Sequence, residues 1–103
     1  MENYEVVIVR STSGKFYLGT LKSVEGECCK IQPAYELRSK FDSNMSAICL
    51  AEEPNTEYLK VSAYSEYGFI RYSELFACSK MARDEFQSFF SREYSSFANW
   101  TQE

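Results

Sequence analysis

Four cysteines, Cys28, Cys29, Cys49 and Cys78, and the adjacent carboxylates Glu52 and Glu53 are the side chains here that could carry covalent or acid–base chemistry. A cysteine nucleophile needs its pKa lowered by a nearby cation or a helix N-terminus. Cys78, followed by Ser79 and Lys80 at an expected helix start, comes nearest to that setting. The chain has no histidine, which removes the usual Ser-His and Cys-His pairs and the common zinc and iron ligand sets. Glu52 and Glu53 stand directly before Pro54, which suits a solvated turn better than two carboxylates flanking a substrate. Cys28 and Cys29 on a strand would leave opposite faces, so they neither bridge each other nor share a metal. No C-x-x-C, Walker-type loop or G-x-G-x-x-G is present. The expectation is a protein that is not an enzyme, with no catalytic residue, metal or cofactor. Its cysteines would be reduced and act as small core hydrophobes in a cytoplasmic setting.

Binding chemistry is better represented. Eight Tyr, eight Phe and one Trp make up 17% of the chain, and such side chains dominate contacts in cores and at interfaces. Three groups stand out. Phe86, Phe89, Phe90, Tyr94 and Phe97 recur at helical spacing, with Trp100 just beyond, and exceed what one small sheet needs to cover. These six are the first candidates for partner contact. Lys60, Ser62, Tyr64, Tyr67 and Arg71 would face outward from one hairpin, and Tyr and Arg combine contact area with hydrogen bonding. Lys15, Tyr17, Tyr35, Arg38 and Lys40 would form the most basic patch if the fold brings them together. Such Tyr/Arg/Lys surfaces can also stack a base and hold a phosphate.

The elements that must position these residues are legible in outline. Residues 4–10 read as a strand with β-branched residues on both faces, suited to a position buried on both sides. A polar turn with Gly14 leads into a second strand, residues 16–23, where Gly19 marks a bend or a close backbone approach. A third strand, residues 28–32, follows the Glu25–Gly26 turn and ends at Pro33, which has no N–H to donate. Residues 35–42 read as a loop or ragged strand. Ser43 would cap a helix over residues 44–51 with Met45, Ile48 and Cys49 inward, and a strand over residues 47–51 competes with it. Leu59, Val61 and Ala63 alternate with Lys60, Ser62 and Tyr64. A hairpin turn at residues 65–68 would return a fifth strand, residues 69–76. Ser79 would cap a final helix spanning residues 79–96, with Asp84 and Glu85 near its positive end. The fold expected is α+β and mainly β: a small five-stranded antiparallel meander or barrel, with a short inserted helix and a C-terminal helix. Residues 1–97 would form one domain and residues 98–103 a short tail.

The net charge of −4 counts against a general nucleic-acid binder and suits a basic partner. No run approaches a membrane span in length, and the first residues are not expected to be a signal peptide.

The run Val6, Val7, Ile8, Val9, then SGKFYLGTLKSVEG and a third strand, resembles the opening of an Sm-like barrel, including a hydrophobic–Gly–hydrophobic step at Leu18-Gly19-Thr20-Leu21. That family's acidic and asparagine positions have no counterpart after Ser23, so none of its RNA-contacting residues is carried over. Over residues 6–85 the chain also resembles a family of short phage and prophage proteins. The shared features are the V-x-V-R…G-x-F-x-x-G-T-L-x-S lead at residues 7–23, the Ala34-Tyr35 junction, the small-residue stretch at residues 43–51 and the Phe76-Ala77-Cys78-Ser79 close. The resemblance implies an origin in a mobile element, an all-β or α+β fold, and a binding role in a bacterial host cell. The function expected is inhibition of a host factor, an antiviral defence component for example, by protein–protein contact. The alternative is an Sm-like module that binds RNA or a small nucleotide as a homo-oligomer.

Overall fold

The computed structural model describes residues 5–41 and 45–93. In chain order it contains β1 (Val6–Ser11), β2 (Phe16–Glu25), β3 (Cys28–Ile31), β4 (Ala34–Ser39), α1 (Ala47–Glu52), a single 3-10 turn (Thr56–Tyr58), β5 (Leu59–Ser65), β6 (Gly68–Ala77) and α2 (Lys80–Glu93). The six strands form one antiparallel sheet in the order β1-β6-β3-β2-β4-β5, with a further pairing of β1 to β2 that coils the sheet back on itself. The five-stranded meander or Sm-like barrel is therefore replaced by a coiled six-stranded sheet. The extra strand comes from the stretch read as ragged: residues 34–39 pair with β5 through one register shift, and residues 35–37 pair with β2.

The registers show how this happens. β3 and β4 follow one line, interrupted at the cis Gln32-Pro33 bond, and β5 and β6 follow a second line, interrupted at Glu66 and Tyr67. The two lines pair along their length, from Ser39↔Leu59 and Ala34↔Ser65 through to Ile31↔Gly68 and Cys28↔Arg71. Residues 65–68 are thus a bend that carries the chain onward, not a hairpin turn. Proline cannot contribute a ladder N–H, so the break it makes in one line is met by the break in the other. Past the bend, β6 pairs with β1, matching Val7 to Ala77 and Arg10 to Glu74.

Two glycines sit at this crossing. A Cβ on Gly19 would run into the carbonyl oxygen of Pro33, and one on Gly68 would lie 2.7 Å from Ala34 Cβ. Both positions need a residue without a side chain so that neighbouring strands can approach closely. The close approach anticipated at Gly19 is present.

β1 feeds two apolar layers, as its two-sided pattern predicts. Val6 and Ile8 join Phe16, Leu18, Tyr35, Leu37 and Leu59 beneath the helices, whereas Val7 and Val9 meet Cys29, Ile31, Ala34 and Ile70 on the opposite face. α2 delivers Ala82, Phe86, Phe89 and Phe90 to the first layer, all buried. Each buried phenylalanine contributes about 1.5–3 kcal/mol by leaving water.

α1 starts three residues later than its sequence reading. Ser46, not Ser43, is the N-cap, its hydroxyl accepting from the Cys49 N–H at 3.5 Å. The later start turns Ala47, Leu50 and Ala51 inward and leaves Ile48 and Cys49 exposed, while Met45 packs against the core edge. Small side chains on the buried side let this short helix lie close to the sheet. Ser43 lies outside the described residues. Ser79 caps α2 as expected, with its Oγ accepting from the Ala82 N–H at 3.0 Å. The same hydroxyl donates to the Glu52 carbonyl at 2.8 Å and the Ser79 N–H donates to the Ala51 carbonyl, so one residue ties the end of α1 to the start of α2. Among the described residues no helix is long and apolar enough to cross a membrane.

Candidate partner-binding surface

The aromatic stripe of α2 goes to the core. Phe86, Phe89 and Phe90 are fully buried against the sheet, so the partner-facing role given to them does not hold. The physical reason is the open helix-side face of the coiled sheet, which needs their bulk to cover it. The other three of that group, Tyr94, Phe97 and Trp100, lie outside the described residues.

From this core a line of rings runs to the surface. Phe89 packs edge-on to Phe90 at 5.2 Å, Phe90 packs on Tyr35 at 4.7 Å, and Tyr35 packs on Tyr64 at 5.1 Å. Tyr35 is buried, whereas Tyr64 is 59% exposed. A register shift between Glu36 and Leu37, opposite Ser62, changes the alternation of β5 and brings Tyr64 onto the same side as Tyr35. The simple alternation read from residues 59–64 misses that shift.

Next to Tyr64, the bend between β5 and β6 displays Tyr67 at 52% exposure and Phe69 at 74%. Exposed large apolar groups matter when they cluster, and these three frame an open cleft of about 310 Å³ that also has Tyr17 and Glu36 in its lining. Tyr17 and Glu36 face each other across the β2–β4 ladder. Burial pushes the Tyr17 phenol up from its ordinary pKa, and the Glu36 carboxylate adds to the rise. Lys30, opposite Phe69 in the β3–β6 ladder, places its Nζ 4.7 Å from the centre of the Tyr67 ring and 5.8 Å from that of Phe69. Both distances lie within cation–π range.

The remaining residues singled out from sequence scatter. Arg71 sits beyond Phe69 on β6 and is engaged with Glu27, its Nη2 and Nε donating to Oε1 at 2.7 and 3.1 Å. Lys60 and Arg38 oppose each other near the far end of the β4–β5 ladder, and Arg38 Nε lies 3.4 Å from Glu36 Oε2. The Arg38 and Arg71 regions are therefore at opposite ends of the paired lines and do not meet. Tyr17 and Tyr35 belong to opposite apolar layers, while Lys40 lines a separate polar cleft with Glu53, Glu57, Glu85 and Arg92. The basic patch does not form. Sequence reasoning passed over Lys30, Glu36 and Phe69, although the alternation of Tyr67, Phe69 and Arg71 past the bend would have flagged Phe69. It also passed over the edge-to-face pair Phe41 and Tyr58, 5.2 Å apart, both exposed near a smaller apolar cleft.

Covalent chemistry at Cys78 is opposed by its setting. Burial pushes its thiol up to about 12, and the nearby Arg83 guanidinium lowers it only in part. A nucleophilic cysteine requires the opposite direction. Burial likewise pushes Cys29 up to about 11. Glu52 and Glu53 are both exposed, at the end of α1. Among the described residues no three His, Cys, Asp or Glu side chains are grouped to hold a metal ion. Comparison with protein-family models, curated proteins and solved structures gives no match to this chain.

Proposed function

We propose that the chain is a non-enzymatic binding protein that grips a protein partner with Tyr64, Tyr67 and Phe69. The observation that carries this reading is the exposure of three large aromatic side chains on one bend, around an open cleft. One of them is braced by rings leading back to the core, so little ordering is left to be done on binding, and rigid aromatic anchors in such places dominate interface energetics. The resemblance to short phage proteins supports a host factor as the partner, inhibited by contact within the bacterial cytoplasm, with antiviral defence components the first to examine. The test is capture of partners from a bacterial lysate by the tagged protein and by a Tyr64→Ala/Phe69→Ala variant. A host protein retained by the first and lost by the folded variant is expected. Capture that survives both substitutions, or no capture by either protein, would refute the reading.

A second reading, a small nucleotide or RNA bound by a homo-oligomer, draws on the Lys30 ammonium over Tyr67, which pairs a stacking surface with a positive charge. Native mass spectrometry of gently purified protein separates the two. Nucleotide-sized extra mass on an oligomer would support the second reading, and a bare monomer or dimer the first.

A further inference from the structure

We infer that the segment following α2, residues 94–103, folds back and seats Trp100 against Phe41 and Tyr58. These two rings pack edge to face at 5.2 Å and stand 63% and 48% exposed. Tyr58 also walls a cleft of about 210 Å³ together with Met45, Leu50, Pro54 and Leu59, between α1 and the 3-10 turn. That volume is below the roughly 300–1,000 Å³ of a site for a separate small molecule and suits a single side chain. Exposed rings grouped beside an apolar cleft gain by being covered. An indole buries about 150–250 Å² and packs favourably edge-on or offset against other rings.

The place where α2 ends selects the occupant. Arg92 and Glu93 line the same open groove as Lys40, Asn55 and Glu57. The Lys40 N–H donates to the Tyr58 carbonyl at 2.7 Å, and Phe41 is the next residue. Pro54 and Asn55 belong to both the groove and the cleft. The helix therefore delivers the chain to the rim of this face. An extended chain covers about 3.3 Å per residue, so Trp100 can reach about 23 Å from Glu93. A tether of that length gives an effective concentration in the millimolar range, so a modest contact is enough to hold the segment. The segment, YSSFANWTQE, is aromatic and has no Lys or Arg. The groove itself carries Glu53, Glu57, Glu85 and Glu93 against Lys40 and Arg92, which offers such a segment nothing. Its rings go to the apolar cleft beyond. Tyr64 lies at the other end of the β4–β5 ladder from Leu59, so the proposed partner surface at the bend stays open and the two surfaces can be tested apart.

Trp100 is the one tryptophan of the chain, so its fluorescence reads the contact directly. In the full chain its emission is expected to lie to the blue of that in urea, with an acrylamide quenching constant about threefold lower. Replacing both exposed rings, Phe41→Ala/Tyr58→Ala, should raise that constant about threefold while the circular dichroism of the fold is kept. Tyr64→Ala should leave it unchanged. As a second measurement that leaves the folded body untouched, Trp100→Ser in the 15N-labelled full chain should shift the amides of Phe41, Tyr58 and Leu59 and spare those of Tyr67 and Phe69. Trp100 quenched as freely in the native protein as in urea would overturn the inference. So would a quenching constant indifferent to loss of Phe41 and Tyr58, or one that responds to Tyr64→Ala instead. Amides of Tyr58 and Leu59 that ignore Trp100→Ser would overturn it as well. Quenching that falls as protein concentration rises would also overturn it, assigning the cover to a second copy of the chain.

Discussion

The contact between Gly68 and Ala34 can be tested by exchanging which of the two positions carries the methyl group. In Gly68→Ala the new Cβ would be 2.7 Å from Ala34 Cβ, with Ile31 and Ile70 atoms at 3.4 and 3.5 Å. Carbon atoms rest about 3.5–4.0 Å apart, so the strands must separate by about 1 Å. Alanine has no rotamer with which to give way, and the neighbouring atoms belong to the packed inner layer. Overpacking of this kind costs about 1–3 kcal/mol, and in a domain of this size each kcal/mol lowers Tm by about 4–8 °C. Ala34→Gly alone loses a buried methyl, about 0.8 kcal/mol, and gains backbone freedom when unfolded, about 0.5–1 kcal/mol more. In the double variant the methyl on residue 68 enters the space vacated at residue 34. The pair should then lose at least about 1 kcal/mol less than the sum of the single losses. Urea unfolding of the four proteins, followed by circular dichroism, measures the cycle. Additivity within about 0.5 kcal/mol would refute the reasoning, as would a Gly68→Ala protein as stable as the parent.

Other substitutions test separate parts of the structure. Phe86→Ala removes a fully buried ring from the helix-side layer and should cost about 3–5 kcal/mol in the same unfolding assay. Ser79→Ala removes the α2 cap and the tie to the Glu52 carbonyl together, a loss of about 1–2 kcal/mol by thermal or urea unfolding. The Cys78 thiol, pushed up to about 12 in the folded protein against a reference of 9.0, stays protonated when the unfolded chain has already ionised. The folded state then binds the extra proton, so this contribution to stability is complete below about pH 9 and is lost as pH rises toward 12. The urea midpoint measured from pH 8 to 11 should fall less steeply in Cys78→Ala than in the parent. In the native protein at pH 8, a thiol reagent should modify exposed Cys28 and Cys49 well before Cys29 or Cys78.

Local rules made much of the fold legible. The two-sided β1, the turns at Gly14 and Gly26 (φ 89° and 62°) and the cap at Ser79 all follow from residue type and spacing. What escaped depended on contacts between distant residues. Residues 65–68 contain the polar and glycine residues of a hairpin turn. Whether they reverse the chain or only bend it is decided by the pairing with residues 28–39, which local sequence does not encode. The stacking of Tyr64 on Tyr35 turns on a register shift opposite Ser62, and a single strand read alone cannot show a shift relative to its neighbour. The aromatic helix was ambiguous for a related reason. Its apolar stripe fits a core or an interface equally well until the size of the sheet face beneath it is known.

The long pairing of residues 28–39 with residues 59–71 has a consequence for synthesis. β6 completes the inner layer by joining β3 on one stretch and β1 on the next, so that Val7 finds its partner at Ala77. Until residues 68–77 have left the ribosome, β1 and β3 each lack one neighbour, and the Phe-rich helix that covers the other face has not been made. Nascent chains should therefore stay protease-sensitive until residues 68–93 have emerged. Order should come late and together, at the slower rates set by contacts far apart in sequence.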